Sequence, residues 1–140
     1  MHSVECEVEI EAPVEAVFDV LRDIQAWASD LPAFQRVEIT EETNDSFIAT
    51  MHEHYGGRDV TIVSRFGGER PTKLSYEHLD GPYGENRGTF TLRPHERGTT
   101  LNQVHMTEQN LSDDASLREQ WQGLMRDQLE AIKRAAEGRK

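Results

Sequence analysis

The C-terminal segment constrains the fold most, because it holds the only long amphipathic helix pattern in the sequence. The predicted helix runs from about Asp113 to Glu137, with Ser112 as its N-cap. Two short helices and a series of strand-like segments precede it. A sheet that has a single long helix to cover it is expected to wrap around that helix and to leave a cavity. The apolar stripe expected to face the sheet consists of Leu117, Trp121, Leu124, Met125, Leu129 and Ile132.

The first part of the chain predicts a strand followed by two short helices. Apolar residues alternate with glutamates over Val4–Ile10, which is typical of a half-buried strand. Pro13 then lies at a first-turn helical position, and apolar residues follow at helical spacing as far as Ile24. A second short helix or turn carries Trp27 and ends at Pro32, since residues before proline avoid the helical region.

Six further strands are predicted before the last helix, and turn residues separate them. Their short connections imply antiparallel pairing. The predicted loops cover residues 67–71, 80–84 and 94–98. The sequence therefore predicts an α+β fold in one domain, residues 1–140, with a seven-stranded antiparallel sheet around the C-terminal helix. The six strands are Phe34–Glu42, Phe47–His54, Asp59–Phe66, Lys73–Leu79, Asn86–Arg93 and Thr99–Thr107.

Charge and composition exclude several classes of partner. The 140 residues include 26 acidic and 15 basic ones, a net charge of −11, which argues against nucleic acid and anionic membrane surfaces as partners. No apolar run approaches the roughly 18 residues that a membrane-spanning helix needs. We therefore expect a cytoplasmic protein, without membrane insertion, that is a monomer or a homodimer. The single cysteine, Cys6, excludes an internal disulfide and is expected to be a packing residue.

Strand alternation predicts which side chains face the cavity, except on the seventh strand. There, Leu101, Gln103, His105 and Thr107 share one face, and Asn102, Val104 and Met106 share the other. Counting apolar residues slightly favours the second set as the inner face. On the third strand Met51 and Glu53 are predicted to face inward, and His52 and His54 outward. The predicted ligand-binding residues are Trp27, Phe34, Met51, Ile62, Ser64, Phe66, Asn86, Phe90, Gln103, Trp121 and Met125.

Three side chains on the predicted inner face are candidates for proton transfer. His78 and His105 are suited to act as a general acid and base, because histidine titrates near neutral pH. The alternative is that they are partly exposed histidines at the sheet edge or the cavity mouth. Tyr76 is a candidate donor to a carbonyl group, or a core tyrosine with a satisfied hydroxyl. Trp27 either packs the small helices or lines the entrance, whereas Trp121 and Met125 are core residues first.

The sequence predicts no metal and no cofactor. The run His52-Glu53-His54, together with His78 and His105, fits no compact zinc motif, and strand alternation separates His52 from Glu53. No glycine-rich phosphate loop precedes a helix, which argues against a nucleotide cofactor.

The chain resembles the helix-grip superfamily of START-like proteins, and most closely the tetracenomycin-type aromatase/cyclase group of polyketide cyclases. The resembling residues cover nearly the whole chain, and they favour the seventh-strand register with Gln103 and His105 inside. The resemblance implies a helix-grip fold and a hydrophobic ligand in its cavity. The motifs that carry it are Ala12-Pro13, Val17-Phe18-Asp19-Val20, Asp23-Ile24-Gln25-Ala26-Trp27, Gly81-Pro82-Tyr83 and Leu129-Glu130-Ala131-Ile132-Lys133.

Two positions depart from what the resemblance implies for catalysis. Members of the group that aromatise polyketides use a tyrosine and an arginine, and these positions fall on Phe34 and Phe66 here. Arg65 is adjacent, but strand alternation sends it to the opposite face. The tryptophans that line the group's cavity fall on Val60, Ile62, Phe90 and Gln103.

Two functions therefore stay open. The first is a cofactor-independent polyketide cyclase, aromatase or dehydratase, in which the cavity folds a flexible chain and the candidate side chains move protons. The second is a carrier or sensor of a lipid, quinone or other hydrophobic small molecule, with no chemistry. A ribosome-associated role, as in some members of the superfamily, is disfavoured by the net charge of −11.

Overall fold

Seven strands and three helices form the fold. The computed structural model describes residues 2–31, 34–55, 57–81, 84–108 and 115–138. None of the helices in these ranges is long and apolar enough to cross a membrane. The elements are β1 (His2–Ile10), α1 (Val14–Arg22), α2 (Ile24–Ala28), β2 (Phe34–Thr40), β3 (Ser46–Tyr55), β4 (Arg58–Glu69), β5 (Lys73–Asp80), β6 (Asn86–His95), β7 (Gly98–Thr107) and α3 (Ala115–Gly138).

The strands form one antiparallel sheet in the order β1-β7-β6-β5-β4-β3-β2. Consecutive strands are neighbours from β2 to β7, as their short connections predict, and β1 joins at the end beside β7. The concave face of the sheet encloses α3, and α1 and α2 pack against α3. The predicted helix-grip fold is confirmed.

Side chains of α3 cover the free edge of β1. The guanidinium of Arg118 donates to the carbonyl oxygen of Ser3 at 3.0 Å, and the Lys133 ammonium donates to that of Glu9 at 2.7 Å. The amide of Glu11 donates to the carboxylate of Glu137 at 2.9 Å. Because an open strand edge is a template for pairing with another chain, these contacts both fix α3 and protect β1.

The core lies where α1, α2 and the C-terminal half of α3 meet the sheet. Leu129, Ile132 and Ala136 of α3 are almost completely buried there, together with Leu21 of α1 and Leu101 of β7. This packing holds one end of α3 against the sheet. Toward the other end, around Trp121, the helix residues are only half-buried, and here the cavity lies.

Several predicted boundaries were wrong. The predicted loop over residues 67–71 begins later, because β4 continues to Glu69 and forms a tight hairpin with β5. Gly68 permits this, since a Cβ there would collide with the backbone of Lys73. Likewise β5 continues to Asp80 and β6 to His95. The predicted first helix breaks at Asp23. The predicted N-cap of α3, Ser112, and the start at Asp113 lie outside the described residues.

The inner face of β7 carries Leu101, Gln103, His105 and Thr107, all buried, as the family register implied. Apolar counting slightly favoured the opposite face, because Val104 and Met106 lie on the outer face of the sheet. Both of these are only half-buried. The prediction for β3 also holds in the structure: Met51 and Glu53 are buried, whereas His52 and His54 are on the outer face.

Candidate ligand cavity

A cavity of about 200 Å³ lies between the concave face of the sheet and the N-terminal half of α3. Aromatic side chains form most of the sheet wall. Tyr76 has Phe66 and Phe90 on either side, with ring centroids 5.5 and 5.7 Å from its own. Trp27 and Phe34 meet edge to face at 6.4 Å and close the side next to α2. A largely apolar, concave wall of this kind is the usual form of a small-molecule site.

The helix wall is a single face of α3. It presents residues three and four positions apart, as neighbours on one side of a helix must be. Trp121 is its largest member and stacks on the imidazole of His105, with ring centroids 4.5 Å apart and an interplanar angle of 23°. The other lining residues of α3 are Leu117, Gln120, Leu124, Met125 and Gln128.

A chain of hydrogen bonds links four inward-facing side chains to the backbone. The amide nitrogen of Gln103 is 3.0 Å from the Tyr76 hydroxyl, which is 2.6 Å from Nδ1 of His105. On the other side of the imidazole, Nε2 is 3.0 Å from Oδ1 of Asn86. Nδ2 of Asn86 donates to the carbonyl oxygen of Gly84 at 3.2 Å. All four side chains are buried, so the three bonds that join them to one another are protected from water.

The backbone carbonyl at one end determines which group donates and which accepts in every hydrogen bond of this series. Because the Gly84 oxygen only accepts, Asn86 turns its NH₂ group toward it and its oxygen toward His105. The imidazole must then carry its proton on Nε2, which leaves Nδ1 as an acceptor for the Tyr76 hydroxyl. The tyrosine oxygen in turn accepts from the NH₂ group of Gln103. The Gln103 carbonyl oxygen therefore lies at the far end, as an acceptor.

Gly88 makes the contact between Tyr76 and His105 possible. The two residues lie on β5 and β7, and Gly88 of β6 is directly opposite both of them in the strand register. A Cβ at Gly88 would be well under 3.0 Å from Cζ and Oη of Tyr76. The absence of a side chain on the middle strand therefore lets two side chains from strands that are not neighbours form a hydrogen bond.

Burial keeps the side chains of Tyr76, His78 and His105 neutral near pH 7. It lowers the pKa of His105 to about 4, with a smaller contribution from the nearby His78. Both histidines are accordingly neutral near pH 7, since burial lowers the pKa of His78 to about 4 as well. Burial raises the pKa of Tyr76, so that its hydroxyl keeps its proton. The neutral imidazole agrees with the tautomer that the hydrogen bonds require.

His78 differs from His105 in its surroundings. It lines the cavity one inward position along β5 from Tyr76, with ring centroids 6.3 Å apart, and it is 6.0 Å from His105. Within the described part of the chain, its ring nitrogens have no hydrogen-bond partner. A neutral imidazole offers one donor and one acceptor, and both are available to a ligand.

Most of the predicted site residues come together in this cavity. The three candidates for proton transfer line it, as do nine of the eleven predicted ligand-binding residues. Two of the predicted ligand-binding residues, Ser64 and Asn86, do not line the cavity. Strand alternation placed them on the correct face, but both are completely buried. Asn86 lies behind His105, and Ser64 lies on β4 opposite Ala49 and His78.

Sequence reasoning missed some of the lining. Glu53, a buried acidic side chain, was predicted to face inward but was not assigned to the site. Gln120 and Gln128 belong to the lining face of α3, and their helical spacing from Trp121 and Leu124 was the available signal. Ile24 of α2 also contributes. Among the described residues there is no cluster of three or more His, Cys, Asp or Glu side chains able to hold a metal ion.

Comparison with known proteins identifies the family. The sequence profile of the family described as polyketide cyclase / dehydrase and lipid transport matches residues 1–137. The chain belongs to this family. The match covers every element of the fold, including the cavity walls. No curated protein matches the chain.

Solved structures agree with the family's fold. A protein from Thermus thermophilus is 19% identical over 99% of this chain and 96% of its own, with a TM-score of 0.78. The Zhui aromatase/cyclase from Streptomyces sp. R1128 is 24% identical over 99% of this chain and 92% of its own, with a TM-score of 0.75. A START superfamily protein from Mycobacterium smegmatis is 18% identical over 99% and 97%, with a TM-score of 0.74. At these identities the likeness concerns the fold.

Proposed function

We propose that the protein binds a hydrophobic, polyketide-type molecule in the cavity and promotes its cyclisation or dehydration without a cofactor. The observation that carries this proposal is the position of Tyr76, His78 and His105. These three polar side chains lie together on one wall of a cavity that is otherwise mostly apolar and aromatic. Membership of the polyketide cyclase / dehydrase family supports the same class of reaction.

In the proposed reaction, the cavity walls fold a flexible poly-carbonyl chain so that two of its carbons approach each other. His78 takes a proton from a carbon beside a carbonyl group, and the resulting enolate attacks a second carbonyl carbon of the same molecule. The new C–C bond leaves an alkoxide, which Tyr76 protonates while His105 keeps the tyrosine oriented. In the dehydration, the Tyr76 phenolate takes the second proton of the same carbon, and the proton held by His78 passes to the hydroxyl group, which leaves as water.

Turnover of two histidine variants tests the catalytic roles. His78→Ala and His105→Ala are each expected to lower turnover at least about a hundredfold with a panel of poly-β-ketone and other hydrophobic carbonyl compounds. Product formation is followed by liquid chromatography and mass spectrometry. His54→Ala is the matched control, because His54 lies on the outer face of the sheet and is exposed. Wild-type turnover in both cavity variants would remove the histidines from the mechanism.

A carrier without chemistry is the second candidate. Two observations favour it: burial lowers the pKa of both histidines to about 4, which makes them weak bases, and Phe66 occupies the wall where the aromatising relatives use an arginine. Native mass spectrometry of freshly purified protein separates the two functions. A carrier retains a hydrophobic molecule that is unchanged after incubation, whereas the proposed enzyme holds a cyclised product or nothing.

A further inference from the structure

The unsatisfied end of the hydrogen-bonded chain indicates what kind of ligand the cavity accepts. Gln103 is 3% exposed and lines the cavity. Its NH₂ group is bonded to Tyr76, but among the described residues its carbonyl oxygen has no hydrogen-bond partner. A buried acceptor without a partner is costly, so a molecule that supplies a donor there gains affinity over one that does not.

The orientation of this amide is not free to change. Turning it over would present the carbonyl oxygen to the Tyr76 oxygen, whose proton is donated to His105. The tyrosine proton could point to Gln103 only if the His105 tautomer were reversed, which would set the Asn86 oxygen against the Gly84 carbonyl oxygen. The hydrogen-bonded chain therefore ends in a buried acceptor, and a ligand that bonds to it must bring the donor and displace the lining beside it.

The charge of the cavity lining independently restricts the charge of the ligand. Among the described lining residues there is no Lys or Arg. The two histidines are neutral near pH 7, and the acidic residue Glu53 adds no positive charge. A ligand carboxylate would lose its hydration without meeting a cation, which is strongly unfavourable in a buried site.

We propose that the cavity selects a neutral ligand with a hydroxyl group, an enol or a phenol, which donates to the carbonyl oxygen of Gln103 beside Tyr76. This deepens the proposed function by naming the functional group of the ligand, and it rests on the cavity being the binding site. Carboxylates such as free fatty acids are excluded by the same wall. Gln103 is thus a specificity-determining residue.

Equilibrium binding of four matched probes tests the proposal with the wild-type protein. The probes are 2-naphthol, 2-methoxynaphthalene, naphthalene and 2-naphthoate, titrated calorimetrically near pH 7. We expect 2-naphthol to bind at least about tenfold more tightly than the methoxy compound or naphthalene, since a site built to bond a hydroxyl discriminates against analogues that lack it. The carboxylate is expected to bind most weakly. Equal affinity of the hydroxyl and methoxy compounds, or tighter binding of the carboxylate, would overturn the proposal.

Two variants test whether Gln103 causes the preference for 2-naphthol over 2-methoxynaphthalene. Gln103→Leu is expected to bring the affinities for 2-naphthol and 2-methoxynaphthalene within about twofold of each other, because the acceptor is gone. Gln35→Leu makes the same change at an exposed amide on β2, outside the cavity, and should keep the preference. A preference that survives in Gln103→Leu would refute the role of Gln103. Failure of all four probes to bind would refute both this inference and ligand binding in the cavity, whereas lack of turnover alone would refute only the catalysis.

Discussion

At the scale of single residues, Tyr76 connects polar and aromatic side chains of the cavity wall. Its hydroxyl joins Gln103 to His105, and its ring touches Phe66 and Phe90. It is 9% exposed, so these bonds are made away from water. The residue therefore both holds the wall together and sets the direction in which its neighbours present their polar atoms.

Removing this hydroxyl should damage stability and activity together. We expect Tyr76→Phe to lower the free energy of unfolding by about 1–3 kcal/mol, because a buried donor on Gln103 and a buried acceptor on His105 lose their partner. Urea denaturation measures this. The control is Ser75→Ala. Ser75 lies next to Tyr76 on β5 but on the outer face of the sheet, where its hydroxyl bonds to Thr89 of β6. An equal, small effect of both substitutions would contradict a contribution of these hydrogen-bonded side chains to stability.

The two cavity histidines predict a pH dependence of stability. In the unfolded chain they take up protons near pH 6.5, but in the folded protein only near pH 4. Between these values the unfolded state binds more protons. The free energy of unfolding should therefore fall as the pH falls through this window, by up to roughly 1.4 kcal/mol per pH unit for each histidine.

Urea midpoints between about pH 7 and pH 4 test this dependence, with His105→Gln as the comparison. The variant should lose stability less steeply, because one of the two groups no longer titrates. Surface carboxylates paired with histidines, such as Glu38 with His52, titrate in both proteins and cancel in the difference. Parallel curves for the two proteins would show that His105 is not held neutral by burial.

At the scale of elements, the site depends on three adjacent strands keeping one register. Tyr76, Gly88 and His105 are aligned across β5, β6 and β7. Only the middle residue lacks a side chain, and the hydrogen bond passes over it. The same alignment brings His105 under Trp121, so that α3 is stacked directly on the polar wall.

A methyl group on the middle strand should disrupt this arrangement. Gly88→Ala is expected to lower the free energy of unfolding by about 1–3 kcal/mol, because the Tyr76 ring must move to avoid the new Cβ. Gly67→Ala on β4 is a matched control, since its Cβ would meet no atom nearer than 3.4 Å. A crystal structure or the tyrosine NMR signals of Gly88→Ala would show the displaced ring. Unchanged stability and an unmoved ring would contradict the prediction.

Element order and most inward-facing residues could be predicted from periodicity, because strands and helices repeat at 2 and 3.6 residues, and antiparallel pairing from the short connections. The inner face of β7 followed from the family resemblance, since apolar counting favoured the opposite face. Depth could not be predicted. Alternation gives the face of Asn86 but not its position behind His105, which depends on how β6 and β7 are aligned. The role of Gly88 was hidden for the same reason. Gln120 and Gln128 were missed because the rotation of α3 about its axis follows from packing.

At the scale of the whole molecule, the cavity is small for its class. Its volume of about 200 Å³ is below the roughly 300–1,000 Å³ of typical drug-sized ligand pockets. The core around Leu129 and Ile132 holds the far end of α3 against the sheet, so a larger ligand requires movement of the half-buried end around Trp121. The volume favours ligands of one or two fused rings, or a longer chain in a folded conformation.

Binding of such a ligand should stabilise the whole fold. With 2-naphthol at about 100 times its Kd, we expect the free energy of unfolding to rise by about 2.7 kcal/mol, and the Tm by several degrees. Calorimetric scans measure the shift. Ile62→Trp, which fills the cavity from β4, should abolish it. The same shift in this variant would place the ligand elsewhere on the molecule.

The anchor of the hydrogen-bonded chain is the carbonyl oxygen of Gly84, which belongs to the main chain and not to a side chain. Point substitutions along the chain can erase the ligand preference that it creates, but they cannot invert it. Inversion would require Asn86, His105, Tyr76 and Gln103 to turn round together against that fixed oxygen. In the evolution of such a protein, a change from donor-bearing to acceptor-bearing ligands would therefore call for a rebuilt loop before β6, which no single codon change supplies.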